Sequence, residues 1–92
     1  MDRLATSTNS VIPENLVNSY HIHIKGRVQG VGFRPFIYRL AQRLQILGWV
    51  SNPLNGVHIE ADSIHDIDGF CDYIKDECPE QARIDEIYVE KI

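Results

Sequence analysis

Apolar and polar residues alternate along 20–28: Ile22, Ile24 and Val28 fall on one side, His21, His23, Lys25 and Arg27 on the other. That period of two predicts a strand with one buried face. From Arg34 the period lengthens, and Phe36, Ile37, Leu40, Ala41, Leu44 and Leu47 recur at three- and four-residue steps. They predict a helix over 34–47, with Pro35 in its first turn and Gly48 as its stop. A short strand at 49–52, a turn at Pro53-Leu54-Asn55-Gly56 and a strand with Val57, Ile59 and Ala61 inward predict a hairpin. Ser63 and Asp66 have capping-box spacing, and Ile64, Ile67, Phe70, Cys71, Ile74 and Cys78 mark the buried stripe of a second helix ending near Pro79. A last strand over about 83–91 offers Ile84, Ile87 and Val89 to the core. Residues 1–18 are polar without a sustained period and are expected to form a flexible arm, leaving 19–92 as the domain.

The order βαββαβ closes into an antiparallel four-stranded sheet with two helices on one face, an α+β ferredoxin-like sandwich. Such a two-layer fold suits a chain of 92 residues, which has enough surface to bury one modest core. An apolar content of 43% with 24% charged residues is that of a globular domain. No apolar run reaches membrane-spanning length, and the N-terminus lacks the apolar segment of a secretion signal, so no membrane partner and a cytoplasmic home are expected. Cys71 and Cys78 sit two helical turns apart, too far for a direct disulfide, and the histidines lack zinc-site spacing. Reduced thiols and no metal or other cofactor are expected.

Charge narrows the partner. Residues 15–59 contain Lys25, Arg27, Arg34, Arg39 and Arg43 and no acid, a balance of +5, so the remainder carries −9 of the total −4. A field polarised in this way favours a small anion near the first half and disfavours a nucleic-acid backbone. The sheet reading agrees, because the first strand presents His21, His23 and Lys25 where an RNA-binding sheet displays stacking rings. Arg39 and Arg43 read most simply as the solvated face of the first helix.

The chemistry concentrates in Gly26-Arg27-Val28-Gln29-Gly30-Val31-Gly32-Phe33-Arg34-Pro35, three glycines around a turn that opens a helix. Glycines let the chain turn sharply and bring backbone N–H groups close to a ligand, and a helix N-terminus adds donors and partial positive charge. Arg34 adds a planar, permanently charged fork for phosphate oxygens. A glycine-rich turn alone is more often a connection than a site, and a small amino-acid-sensing module of the same topology would use it so, but such a module leaves Arg34 unexplained. Gly26 serves either a close backbone approach or a strand bend.

Gly-Arg-Val-Gln-Gly-Val-Gly-Phe-Arg at 26–34, followed by Gly48-Trp49-Val50-Ser51-Asn52, resembles the acylphosphatase family over nearly the whole chain apart from the arm. Pro35-Phe36 after the arginine and the run Cys78-Pro79-Glu80-Gln81-Ala82-Arg83-Ile84-Asp85 further resemble the N-terminal acylphosphatase-like domain of HypF, the hydrogenase-maturation carbamoyltransferase. The resemblance implies hydrolysis of the carboxyl-phosphate bond of acyl phosphates. It makes Arg34 and Asn52 the catalytic residues and Gln29, Gly30, Val31, Gly32 and Phe33 the phosphate-binding loop. Asn52 would orient the attacking water. The ligands implied are acyl or carbamoyl phosphate and inorganic phosphate, and the HypF likeness implies the rest of a larger carbamoyltransferase as partner.

The residues suit that chemistry without a side-chain nucleophile. An acyl phosphate is a mixed anhydride with a good leaving group, so positioning and charge stabilisation can carry the reaction. A neutral asparagine offers one acceptor and one donor to fix a water in line with phosphorus. Read without the resemblance, Asn52 could as well cap the turn that follows it. His21, His23, His58 and His65 are read as solvated surface, none placed by the sequence beside the loop. A non-catalytic anion-binding module of the same fold is the alternative.

Overall fold

The computed structural model describes residues 2–3, 18–63 and 67–92. These form β1 (Asp2–Arg3), β2 (Asn18–Arg27), α1 (Phe33–Leu44), β3 (Leu47–Ser51), β4 (Val57–Ser63), α2 (Asp68–Glu77) and β5 (Arg83–Lys91). Every pairing is antiparallel, and the strands run β1-β3-β4-β2-β5 across the sheet. Strands β2 to β5 with the two helices are the ferredoxin-like βαββαβ arrangement. Asp2 and Arg3 extend it along the free edge of β3, opposite Val50 and Trp49. Met1 and residues 4–17, which hold the rest of the expected arm, lie outside the described residues.

Alternation along β2 and β4 sorts the sheet into two faces. Ile22, Ile24, Val57, Ile59 and Ala61, with Val50 of β3, are fully buried and share one core with Phe36, Ile37, Leu40 and Ala41 of α1 and Phe70, Cys71 and Ile74 of α2. The opposite face carries His21, His23, Trp49, His58 and Glu60. On the helical side, Arg43 ties the helices together: its guanidinium bonds Glu77 (Nη1 to Oε1, 3.3 Å) and lies 5.3 Å from the Tyr73 ring. Arg43 and Arg39 are both exposed, as the solvated face expected of them requires, and Arg43 makes its pair with Glu77 at that surface.

Three boundaries differ from the sequence pattern. Helix α1 ends at Leu44, not at Leu47, because Gln45 turns left-handed (φ 58°) and the amide of Ile46 reaches back to the Ala41 carbonyl at 2.8 Å, closing a six-to-one terminal loop. Ile46 is thereby turned into the core, and Leu47 and Gly48 start β3. Gly48 is thus no helix stop: a Cβ there would stand 1.7 Å from the Glu60 carbonyl oxygen, so the close approach of β4 demands glycine. Helix α2 begins only at Asp68, with Ile67 at the capping position and no side-chain cap; Ser63 ends β4, and Asp66 of the expected capping box lies outside the described residues. On β5, Ile84 and Ile87 pack against the core but Val89 is exposed, because β5 is the outer strand with nothing described beyond it.

Candidate functional site

Strands β2 and β3 are not neighbours, yet both run antiparallel to β4 and are therefore parallel to each other. Ile24 stands opposite Val57 and Ser51 opposite His58, so the two strands finish at the same end of the sheet. This brings the glycine loop after β2 next to the hairpin turn after β3, although 24 residues separate Val28 from Asn52.

The loop is anchored at both ends by core side chains. Val28 is fully buried and Phe33 is 1% exposed, its ring meeting Phe36 edge-on at 5.5 Å. Val31 also packs against the core. Between the anchors Gly30 (φ 67°) and Gly32 (φ 77°) are left-handed, and an added Cβ at either would touch nothing within 4 Å. The requirement for glycine here is conformational rather than spatial. Gly32 occupies the N-cap of α1 with no side-chain cap, and its carbonyl accepts the Phe36 amide at 3.2 Å. The first turn of α1 contains no acid, so the positive end of the helix is not neutralised by its own residues. Arg34, the second helical residue, is exposed at that end. The side chain of Phe33 is committed to the core and that of Val31 is half-buried against it.

Across from the loop, Asn52 donates from Nδ2 to the Val28 carbonyl at 3.0 Å. A carbonyl can only accept, so this bond fixes which end of the carboxamide is nitrogen. The other end, Oδ1, is buried and accepts no hydrogen bond from the described residues. An unsatisfied buried acceptor costs about 1–3 kcal/mol. Gln29 makes the reciprocal link, donating from Nε2 to the carbonyl of Pro53.

The hairpin turn is braced from its other side by histidines that the sequence left as solvated surface. His23 Nε2 meets the Asn55 carbonyl at 2.8 Å, and His58 Nε2 lies 3.2 Å from Asn55 Oδ1. His21 Nε2 lies 3.1 Å from His58 Nδ1, and the rings of His23 and His58 stack at 4.0 Å. A neutral pattern satisfies all three contacts: His23 and His58 each donate from Nε2, and His21 donates to His58 Nδ1. Partial burial first, then the neighbouring His23 and His21, hold the His58 imidazole below its ordinary pKa. No group of three or more His, Cys, Asp or Glu among the described residues is arranged to hold a metal ion. Gly26, left open above, serves a close approach: a Cβ there would stand 2.0 Å from the Arg83 carbonyl oxygen.

A family model for acylphosphatase matches residues 20–92, all of β2 but its first two residues and every later element. The chain belongs to the acylphosphatase family. An acylphosphatase of Salinibacter ruber is 42% identical over 69 residues, covering 73% of this chain and 72% of that protein. Carbamoyltransferase HypF2 of Cupriavidus necator is 46% identical over 71 residues, 76% of this chain and 9% of that protein. A crystal structure of full-length HypF in a phosphate- and nucleotide-bound form matches with a TM-score of 0.78 and 40% identity, over 83% of this chain and 10% of that one. The chain thus spans about a tenth of the length of the carbamoyltransferase relatives it matches. It is an enzyme domain of acylphosphatase type, and no helix among its described residues is long and apolar enough to cross a membrane.

Proposed function

We propose that this acylphosphatase-family domain hydrolyses the carboxyl-phosphate bond of acyl phosphates, releasing a carboxylate and inorganic phosphate. Backbone N–H groups of Gln29, Gly30, Val31, Gly32 and Phe33 and the guanidinium of Arg34 hold the phosphoryl oxygens. Water, accepted by Asn52 Oδ1, attacks phosphorus in line with the leaving carboxylate. The new P–O bond forms as the bond to the acyl oxygen breaks, and a phosphoryl oxygen takes the proton. Positioning and charge stabilisation suffice because the carboxylate leaves readily.

The observation that carries this reading is the Asn52 carboxamide, tethered by its nitrogen to the residue just before the loop while its buried oxygen lacks a partner among the described residues. The likeness to HypF, itself crystallised with phosphate, supports carbamoyl phosphate as the substrate when this domain is part of a larger carbamoyltransferase that serves hydrogenase maturation. Cys71 is buried in α2 and Cys78 half-buried just beyond it, seven positions apart and too distant for a disulfide with each other, which supports a reducing, cytoplasmic setting.

The deciding experiment is hydrolysis of acetyl phosphate and carbamoyl phosphate by the 92-residue chain, with Arg34→Ala as control. Turnover that disappears in the control supports the hydrolase. Phosphate binding without turnover of either compound would replace it with a non-catalytic anion-binding module.

A further inference from the structure

Two carboxamides cross between the loop and the turn in opposite directions. Asn52 bonds the carbonyl of Val28, and Gln29, the next residue after Val28, bonds the carbonyl of Pro53, the next residue after Asn52. Each side chain thus grips the backbone beside the other. A single bond would leave the end of the hairpin free to swing about it, whereas two bonds in opposite directions fix both spacing and orientation. The Pro53 carbonyl is also the acceptor that closes the turn, taking the Gly56 amide at 3.1 Å, so Gln29 holds the turn at its own hydrogen bond. On the far side His23 and His58 grip Asn55, which leaves Gln29 as the loop's side-chain hold on this turn among the bonds described.

We propose that Gln29 is a positioning residue: beyond any backbone contact to phosphate, its side chain sets where Asn52 Oδ1 places the attacking water. The inference rests on the hydrolytic reading above. Glutamine suits the task because its amide reaches a carbonyl as a neutral donor. A carboxylate would repel both that carbonyl and the bound anion, and an ammonium would bind the anion itself.

The test is a double-mutant cycle on acetyl phosphate hydrolysis using Gln29→Met, Asn52→Ala and the pair, with inhibition by inorganic phosphate measured alongside. Gln29→Met keeps the side chain's length and removes its donor. It is expected to lower kcat by about ten- to a hundredfold, the scale of a misplacement near 1 Å, with phosphate inhibition unchanged. In the Asn52→Ala background the same substitution is expected to cost nothing further, because Gln29 acts through Asn52. An equal loss in both backgrounds, or weakened phosphate inhibition with kcat intact, would overturn the proposal while leaving the hydrolase standing. An Asn52→Ala enzyme with full turnover would overturn this proposal together with the role of Asn52 in orienting the water, whereas a wild-type chain without turnover would overturn the hydrolase.

A second measurement needs no turnover. In 15N–1H NMR spectra, Gln29→Met and Gln29→Ala are each expected to shift the Asn52 carboxamide resonances and the Gly56 amide while the β4 amides stay in place. Unmoved carboxamide resonances in a folded variant would show that Gln29 does not hold Asn52.

Discussion

The two connections that build the site reach their shapes by opposite routes. The loop after β2 is made by its own backbone: left-handed Gly30 and Gly32 turn the chain, and buried Val28 and Phe33 clamp the ends. The turn after β3, Pro53-Leu54-Asn55-Gly56, is closed by one backbone bond at Gly56 and is held in place by side chains from elsewhere: Gln29 on one side, His23 and His58 on the other. On the proposed reading, anion binding would be a local property of ten consecutive residues, and orientation of the water a property of the sheet, which brings Asn52 to the loop from 24 positions away. Substitutions that remove the loop's anion donors should therefore change affinity, and substitutions that move the turn, the Gln29 side chain included, should change turnover.

The largest expected effect is at Arg34. Arg34→Ala removes a charged fork, and Arg34→Lys keeps the charge but cannot reproduce two parallel N–H bonds. A lost charge-assisted hydrogen bond is worth about 1.5–3 kcal/mol, so the dissociation constant for inorganic phosphate should rise by roughly ten- to a hundredfold in Arg34→Lys, read by calorimetry or by inhibition. Near-normal affinity would remove Arg34 from the cradle.

Asn52→Ala tests the other side. Phosphate affinity should hold nearly constant while kcat for acetyl phosphate falls about a hundredfold, as expected when a water loses its orientation. The reverse pattern, weaker phosphate binding at unchanged kcat, would move Asn52 into the cradle and erase the distinction between loop and turn. Next in size is Gly32→Ala. Its Cβ meets nothing, so any cost comes from the left-handed backbone, about 1–2 kcal/mol, or a Tm lower by roughly 5–15 °C. A Tm unchanged by Gly32→Ala would mean that the loop relaxes to another shape without penalty.

What the residues alone revealed follows the same division. Periodicity located both helices and the strands from β2 onward because each depends on neighbours one to four positions away. The glycine loop was legible for the same reason. Gly48 was misread as a helix stop because the demand for glycine comes from Glu60 on the paired strand, and no local pattern records it. The exposure of Val89 follows from its place on the outer strand, which alternation does not encode. Asn52 entered the site through a family resemblance and not through its own surroundings in the chain, where it reads equally as a turn cap. The histidine brace was invisible for a similar reason: His21, His23 and His58 are brought together only by the pairing of β2 with β4, which sets His23 opposite His58. The signal available was their common outward parity on two strands of one sheet, and it needs the register before it can be used.

The smallest expected effect concerns that brace and its pH dependence. His58 is held below its ordinary pKa, near 6.5, first by partial burial and then by His23 and His21. Above pH 6.5 both folded and unfolded chains keep the ring neutral, and the contribution to stability is fully present. As the pH falls through 6.5 toward the lower folded value, the unfolded chain takes a proton that the folded one resists, so stability drops. A proton on His58 Nδ1 would also face the Nε2–H of His21, breaking the neutral chain that reaches Asn55. Lys25, Glu60, Asp62, Glu86 and Tyr88 lie on the same sheet face, so the wild-type profile alone does not isolate this ring. The difference from His58→Gln does, since glutamine can donate to Asn55 but does not protonate. Tm should fall more steeply between pH 7.5 and 5.5 in the wild type than in His58→Gln. Parallel slopes would show that the brace is indifferent to charge, leaving the turn as insensitive to pH as the glycine loop it faces.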